Sequence, residues 1–209
     1  MTSPSDIAAS VADRVEALPK PKLRNLVAVV GPPASGKTTL AASLRDALNA
    51  RGMATGLVAM DGFHLDNSIL GARGLRARKG APETFDLAGF ASLLARLGTE
   101  EEVIAPTFDR ARDASIGSSS VVSGEMTTVI VEGNYLLLNE PGWRNLSAHW
   151  DLSIMLDVSA DQLEARLLDR WRQFGFADDE ALAKARGNDL PNALRVRDNS
   201  LAADMTISD

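Results

Sequence analysis

The sequence predicts an α/β fold in which helices cover both faces of a mostly parallel sheet. Two observations carry this. Short apolar runs that read as buried strands alternate with 3.6-period helical patterns along the 209 residues, and strands joined through helices pair in parallel. The second observation is Gly31-Pro-Pro-Ala-Ser-Gly36-Lys37-Thr38, a match to G-x-x-x-x-G-K-[ST] set between one such run and one such helix. Together they specify the three-layer α/β/α P-loop NTPase fold, with a helical lid. The whole chain, 1–209, reads as one domain, and the lid falls at about 160–180.

At the N-terminus, Ser5 is placed to cap a helix over 6–18 that Pro19-Lys-Pro21 ends. The run 26–30 is a buried strand. The glycines of the loop after it let successive N–H groups point at a phosphate. Lys37 reaches the β and γ phosphates and the Thr38 hydroxyl suits Mg²⁺. Leu40, Leu44, Ala47 and Leu48 then mark a helix, stopped by Gly52, whose free N–H groups face the phosphates.

A second strand, 56–60, runs into Asp61-Gly-Phe-His64. Ligands bind at the carboxyl ends of parallel strands, so Asp61 stands where chemistry happens; a turn-capping role suits it equally. The segment 71–80 has no clear period and reads as a loop bearing Arg73, Arg76, Arg78 and Lys79. It is either solvated or a cover that brings positive charge to an anionic ligand. Pro82-Glu-Thr-Phe-Asp86 then starts a helix, with Leu87, Phe90, Leu94 and Leu97 on one face and Gly98 as its stop. The stretch 103–106 is a short strand, and Asp109, Arg110 and Arg112 after it are either substrate contacts or a surface ion-pair cluster. Residues 117–120 read as a flexible turn.

Strand 128–133 ends in Glu132, placed for Mg²⁺ or its water shell. Strand 152–157 is preceded by His149 and Trp150, which read as packing residues. Ser159 or Ala160 opens a helix with Leu163, Leu167 and Leu168 on its buried side and Arg166, Arg170 and Arg172 elsewhere. The stretch 171–176 breaks the pattern before a second helix over 178–186. Helix, break, helix with arginines is the form of a lid that stabilises a transferring phosphoryl group, although each arginine also has acidic neighbours at helical spacing. Residues 188–192 read as a turn.

Composition sets bounds. Net charge is −6, with 22 basic and 28 acidic residues, which argues against nucleic acid as partner. No cysteine is present, so thiolate metal sites and thiol nucleophiles are excluded. No segment has signal-peptide or membrane-spanning character, and the expected location is the cytoplasm.

The stretches GPPASGKTT, MDGFHLDN, RGLRARKGAPETFD, VIVEGNYLLL and RLLDRW together resemble the P-loop small-molecule kinases that group uridine kinase, phosphoribulokinase and bacterial pantothenate kinase. The likeness spans about 25–200 and is strongest to a bacterial set described as fructose-transport-system or nucleoside/nucleotide kinase-like proteins. It implies ATP and Mg²⁺ as cofactors, and a small-molecule hydroxyl, of a sugar or nucleoside, as acceptor. On this likeness Gly31, Ala34, Ser35, Gly36, Lys37, Thr38 and Thr39 hold the nucleotide, and Asn188 and Asn192 meet its base. Asp61 is the base, Glu132 stands near the metal, and Arg166 or Arg170 acts from the lid. His64, Arg78, Lys79, Asp109 and Arg110 lie toward the acceptor. Relatives of this kind are often dimers or tetramers, which makes a homodimer one expectation. Pantothenate kinases carry a Tyr-x-His pattern where this chain has Phe108-Asp109-Arg110, a departure that counts against pantothenate as acceptor. Three other readings stay open: a pantothenate-type kinase, a nucleoside monophosphate kinase, and a regulatory NTP-binding protein with slow hydrolysis.

Overall fold

A computed structural model describes residues 4–20 and 23–208. Five strands form one parallel sheet in the order β2-β5-β1-β6-β7: β1 Asn25–Val30, β2 Thr55–Ala59, β5 Thr128–Gly133, β6 Leu152–Asp157 and β7 Met205–Ser208. Alternation along β1 divides the core. Val27 and Val29 pack with α1 (Pro4–Glu16) and α2 (Lys37–Ala50), through Val11, Val15, Leu40, Leu44 and Leu48. Leu26, Ala28 and Val30 pack on the opposite face with Phe90, Leu94 and Leu97 of α4 (Leu87–Leu97). Both sheet faces are therefore covered, as the continuous apolar strands require.

The helix ends follow local chemistry. Gly52 (φ 82°) follows α2, its N–H donating to Asn49 O while Met53 N–H donates to Leu48 O, a Schellman stop. Asp86 caps α4 by accepting from Gly89 N–H at 2.9 Å, and Ser159 caps α5 (Ala160–Gln173). Leu163 and Leu167 of α5 are buried, whereas Leu168 is half-buried.

Four expectations are corrected. Helix α1 begins at Pro4, so Ser5 lies inside its first turn rather than ahead of it; proline's fixed φ suits that first turn. Pro21 lies outside the described residues. Segment 117–120 is not a turn. It belongs to β4 (Ala114–Val122), which pairs antiparallel with β3 (Val103–Asp109) in a separate two-stranded sheet. The ladder shifts register between Ala105 and Thr107; Pro106, with no N–H to donate, sits at that irregularity. Segment 71–80, read as a loop, is partly ordered: its start belongs to α3 (Asn67–Ala72), which Asp66 caps, and Arg76–Arg78 form a 3₁₀ turn. Residues 188–192 are helical. Helix α6 (Asp178–Lys184) passes through a π-helical turn, Ala185–Asp189, into α7 (Leu190–Asn199). Pro191 has no N–H for the turn behind it, and a widened turn is how a helix tolerates that loss.

Candidate active site

The phosphate loop runs from the end of β1 into α2. Gly36 (φ 93°) and Ala34 (φ 64°) both take the left-handed conformation, and no side chain caps α2. Its first N–H groups, at the positive end of the helix dipole, therefore face an anion site. Gly31 permits the close packing: a Cβ there would lie 2.5 Å from Ser35 Oγ and 3.1 Å from Leu156 Cβ.

Three charged groups meet beyond the loop. Glu132 is buried at the end of β5, and Thr38 Oγ1 donates to its Oε1 at 3.3 Å. Burial raises the pKa of Glu132, and the Lys37 ammonium opposes that rise. Desolvation lowers the pKa of Lys37, while Glu132 and Asp61 hold it up. Asp61 lies in the 3₁₀ turn Met60–Phe63 after β2 and accepts from Arg110 Nη2 at 3.1 Å. The site fits a magnesium nucleotide: uncapped N–H groups for phosphate, a lysine at the helix start, and a hydroxyl beside a carboxylate for a cation that keeps most of its water.

The loop separates two cavities. One, of about 330 Å³, is lined by Ala34, Ser35, Gly36 and Thr39 with Ile7, Leu40, Leu156, Val158, Ile207 and Arg166. Its apolar walls suit a flat base. The other, of about 770 Å³, holds Lys37, Asp61, His64 and Arg110 on one side and Arg170, Trp171, Asn188, Asp189 and Asn192 on another.

The expected residues divide between these places. Arg166 lies on the base side, its Nη1 3.5 Å from Ser35 O, while Arg170 lines the larger cavity and stacks on Phe174. Asn188 and Asn192 line the larger cavity and not the apolar one. His64 Nδ1 donates to the Asp61 carbonyl at 2.8 Å, and its ring lies between Phe85 and Phe108; burial lowers its pKa. Lys79 reaches the cavity but is held by Asp113 and Asn67, with Phe108 beneath its ammonium.

Arg78 and Asp109 are not brought to the cavity. Arg78 pairs with Glu83 at 3.3 Å. Asp109 Oδ1 accepts from the N–H groups of Ala111 and Arg112, tying the turn between β3 and β4. A carboxylate that can satisfy two backbone donors locally does so.

Sequence reasoning missed Asn134, Asp113, Trp171 and Asp189. Asn134 carried a signal, since it follows Glu132 at a strand end. Asp189 carried none, because its surroundings read as a turn.

Phosphate capture on one side of the loop, and a carboxylate facing a cavity on the other, are the requirements of a P-loop phosphotransferase. No protein-family profile matches the chain. It is 35% identical over 189 residues to the Escherichia coli protein YggC, covering 90% of this chain and 78% of that one. It is 33% identical over 205 residues to a Schizosaccharomyces pombe protein provisionally named a uridine kinase, covering 93% and 87%. The chain belongs to the P-loop kinases of the uridine kinase, phosphoribulokinase and pantothenate kinase group. It is an ATP-dependent phosphotransferase with an alcohol group as acceptor. A crystal structure from Silicibacter sp. TM1040, of a protein provisionally named a fructose transport system kinase, superposes with a TM-score of 0.92 at 48% identity over 99% of this chain and 100% of that one.

Proposed function

We propose that the chain transfers the γ-phosphoryl group of ATP·Mg²⁺ to a hydroxyl of a sugar or nucleoside. The observation that carries this is the shared cavity of Lys37 and Asp61 at the carboxyl ends of the parallel strands. Asp61 receives the proton of the acceptor hydroxyl as its oxygen bonds to phosphorus and the bond to the bridging oxygen of ADP breaks. Lys37 and Arg170 neutralise charge moving across the loop. Thr38 and Glu132 would hold Mg²⁺, which supplies further charge neutralisation when bound. Arg110 pairs with Asp61, so an entering hydroxyl displaces it or joins it.

The apolar cavity beside Ser35–Thr39 is the place for the base. Asn188 and Asn192 are reassigned here to the acceptor. A sugar is favoured by the provisional name of the Silicibacter protein, and a nucleoside by that of the Schizosaccharomyces protein. The same reading takes residues 1–209 as one kinase domain with a lid near 160–180, at work in the cytoplasm and as a homodimer. No described helix is long and apolar enough to cross a membrane.

The test is ³¹P NMR of product formed from ATP·Mg²⁺ and a panel of sugars, nucleosides, pantothenate and nucleoside monophosphates. A phosphomonoester on a sugar or nucleoside hydroxyl supports the reading. Product on a monophosphate alone overturns it.

A further inference from the structure

The helical wall of the larger cavity carries two acceptor oxygens without donors among the described residues. A chain of bonds settles the orientation of its amides. The Lys79 carbonyl can only accept, so the group 2.9 Å away is Asn188 Nδ2 as donor. Asn188 Oδ1 is then the acceptor that Asn192 Nδ2 meets at 3.3 Å. The chain ends on Asn192 Oδ1, an oxygen. Asn192 is 2% exposed, and that oxygen is buried with no donor among the described residues. One turn back on the same helix face, Asp189 Oδ2 accepts from Trp171 Nε1 at 2.7 Å, which leaves Asp189 Oδ1 with no hydrogen-bond donor among the described residues. Trp171, Asp189 and Asn192 all line the cavity.

Arg170 and Lys184 act on Asp189 through space, but neither donates a hydrogen bond to its Oδ1, and the other cations of the cavity are held elsewhere. Lys79 and Arg76 lie on Asp113, at 2.8 Å and 3.6 Å. Arg110 lies on Asp61. Lys184 sits over the rings of Trp171 and Phe176, and Lys37 and Arg170 flank the phosphate loop.

We infer that Asp189 and Asn192 read the non-reacting hydroxyls of a neutral polyol, and that Asp189 is a specificity-determining residue of this kinase. Resting on the phosphotransferase reading, this names the substrate class of the same site. Two oxygens without donors call for a ligand that brings O–H groups, and a buried acceptor left unmatched costs affinity. A carboxylate or phosphate on the acceptor would instead meet a carboxylate and an amide oxygen. The Trp171 N–H also fixes what a substitution does. In Asp189→Asn it keeps the amide oxygen on itself, so the NH₂ group faces the cavity and the acceptor becomes a donor.

The experiment pairs neutral polyols with their anionic counterparts: ribose with ribose 5-phosphate, fructose with fructose 6-phosphate, and glycerol with glycerate. Lys37-dependent ADP release is measured for each. The neutral member is expected to win by about tenfold or more in kcat/KM. Asp189→Asn should raise the KM for the neutral acceptor by about tenfold while kcat at saturation changes little, and Asp189→Glu should restore part of the loss. Asn192→Leu, which keeps volume and removes the oxygen, should also raise KM. Preference for the anionic members, or an unchanged KM in folded Asp189→Asn and Asn192→Leu, overturns the inference and leaves the kinase standing. Absence of stimulation by any acceptor removes the kinase reading and this inference with it.

Discussion

Arg24 is 5% exposed and has no carboxylate partner among the described residues, yet its guanidinium makes five hydrogen bonds to backbone carbonyls. Leu97 O and Glu100 O lie at 2.9 Å and Glu101 O at 2.7 Å; Met126 O and Ser123 O are longer, at 3.3 Å and 3.4 Å. One side chain thus ties the end of α4 to the turn between β4 and β5, just before β1 begins. The β3–β4 pair hangs between those two loops, and it carries Arg110 to Asp61. Desolvation lowers the pKa of Arg24, and the five carbonyl dipoles compensate the buried charge. Arg24→Leu would strand these carbonyls without their donor. A hydrogen bond to a charged group contributes roughly 1.5–3 kcal/mol net, and bonds sharing one cation do not add in full. The three short bonds give an expected loss of about 3–5 kcal/mol. For a chain of this size that lowers the melting temperature by about 6–20 °C. Arg24→Lys, a compact charge with three donors, should lose roughly half as much. Chemical denaturation followed by circular dichroism measures both. Arg24→Leu within about 1 kcal/mol of the native chain would refute the reasoning.

Two further outcomes follow from the geometry. Arg166→Ala should weaken nucleotide binding with little change in acceptor KM, whereas Arg170→Ala should lower kcat by about tenfold or more; steady-state kinetics with both substrates varied separates them, and identical profiles would contradict the division between cavities. Burial lowers the pKa of His64 in the folded chain, so the unfolded chain takes up its proton first as pH falls below about 6.5. The contribution is present in full above that pH and is lost below it, at no more than about 1.4 kcal/mol per pH unit. Melting temperatures at pH 7.5 and 5.5 should therefore fall more for the native chain than for His64→Gln.

The parts legible in the sequence are those fixed locally. The phosphate loop, Asp61 and Glu132 declare themselves because a glycine turn and a strand-end acid are short-range features. The strand β4 does not, because Gly117, Ser118, Ser119 and Ser120 lack the apolar alternation of a half-buried strand; the pairing with β3 holds them instead. Asn188, Asp189, Pro191 and Asn192 carry turn chemistry, yet packing draws them into one helix with a π turn, and only that turn brings Asp189 beside Trp171. Arg78 and Asp109 had the right charge in the right neighbourhood, and nearer partners took them. Arg24 is a lone basic residue before a strand, and its five acceptors come from chain segments 73 to 102 residues away.

The most direct measurement is the rate of ADP release from ATP·Mg²⁺ with a saturating neutral polyol, compared between the native chain, Lys37→Ala and Asp61→Asn. Asp61→Asn should retain nucleotide binding and lose about 10²–10⁴-fold in turnover, while Lys37→Ala loses turnover through its missing phosphate contact. Full turnover in Asp61→Asn, in a variant that binds nucleotide normally, would contradict the assignment of this cavity as the place where the acceptor hydroxyl gives up its proton.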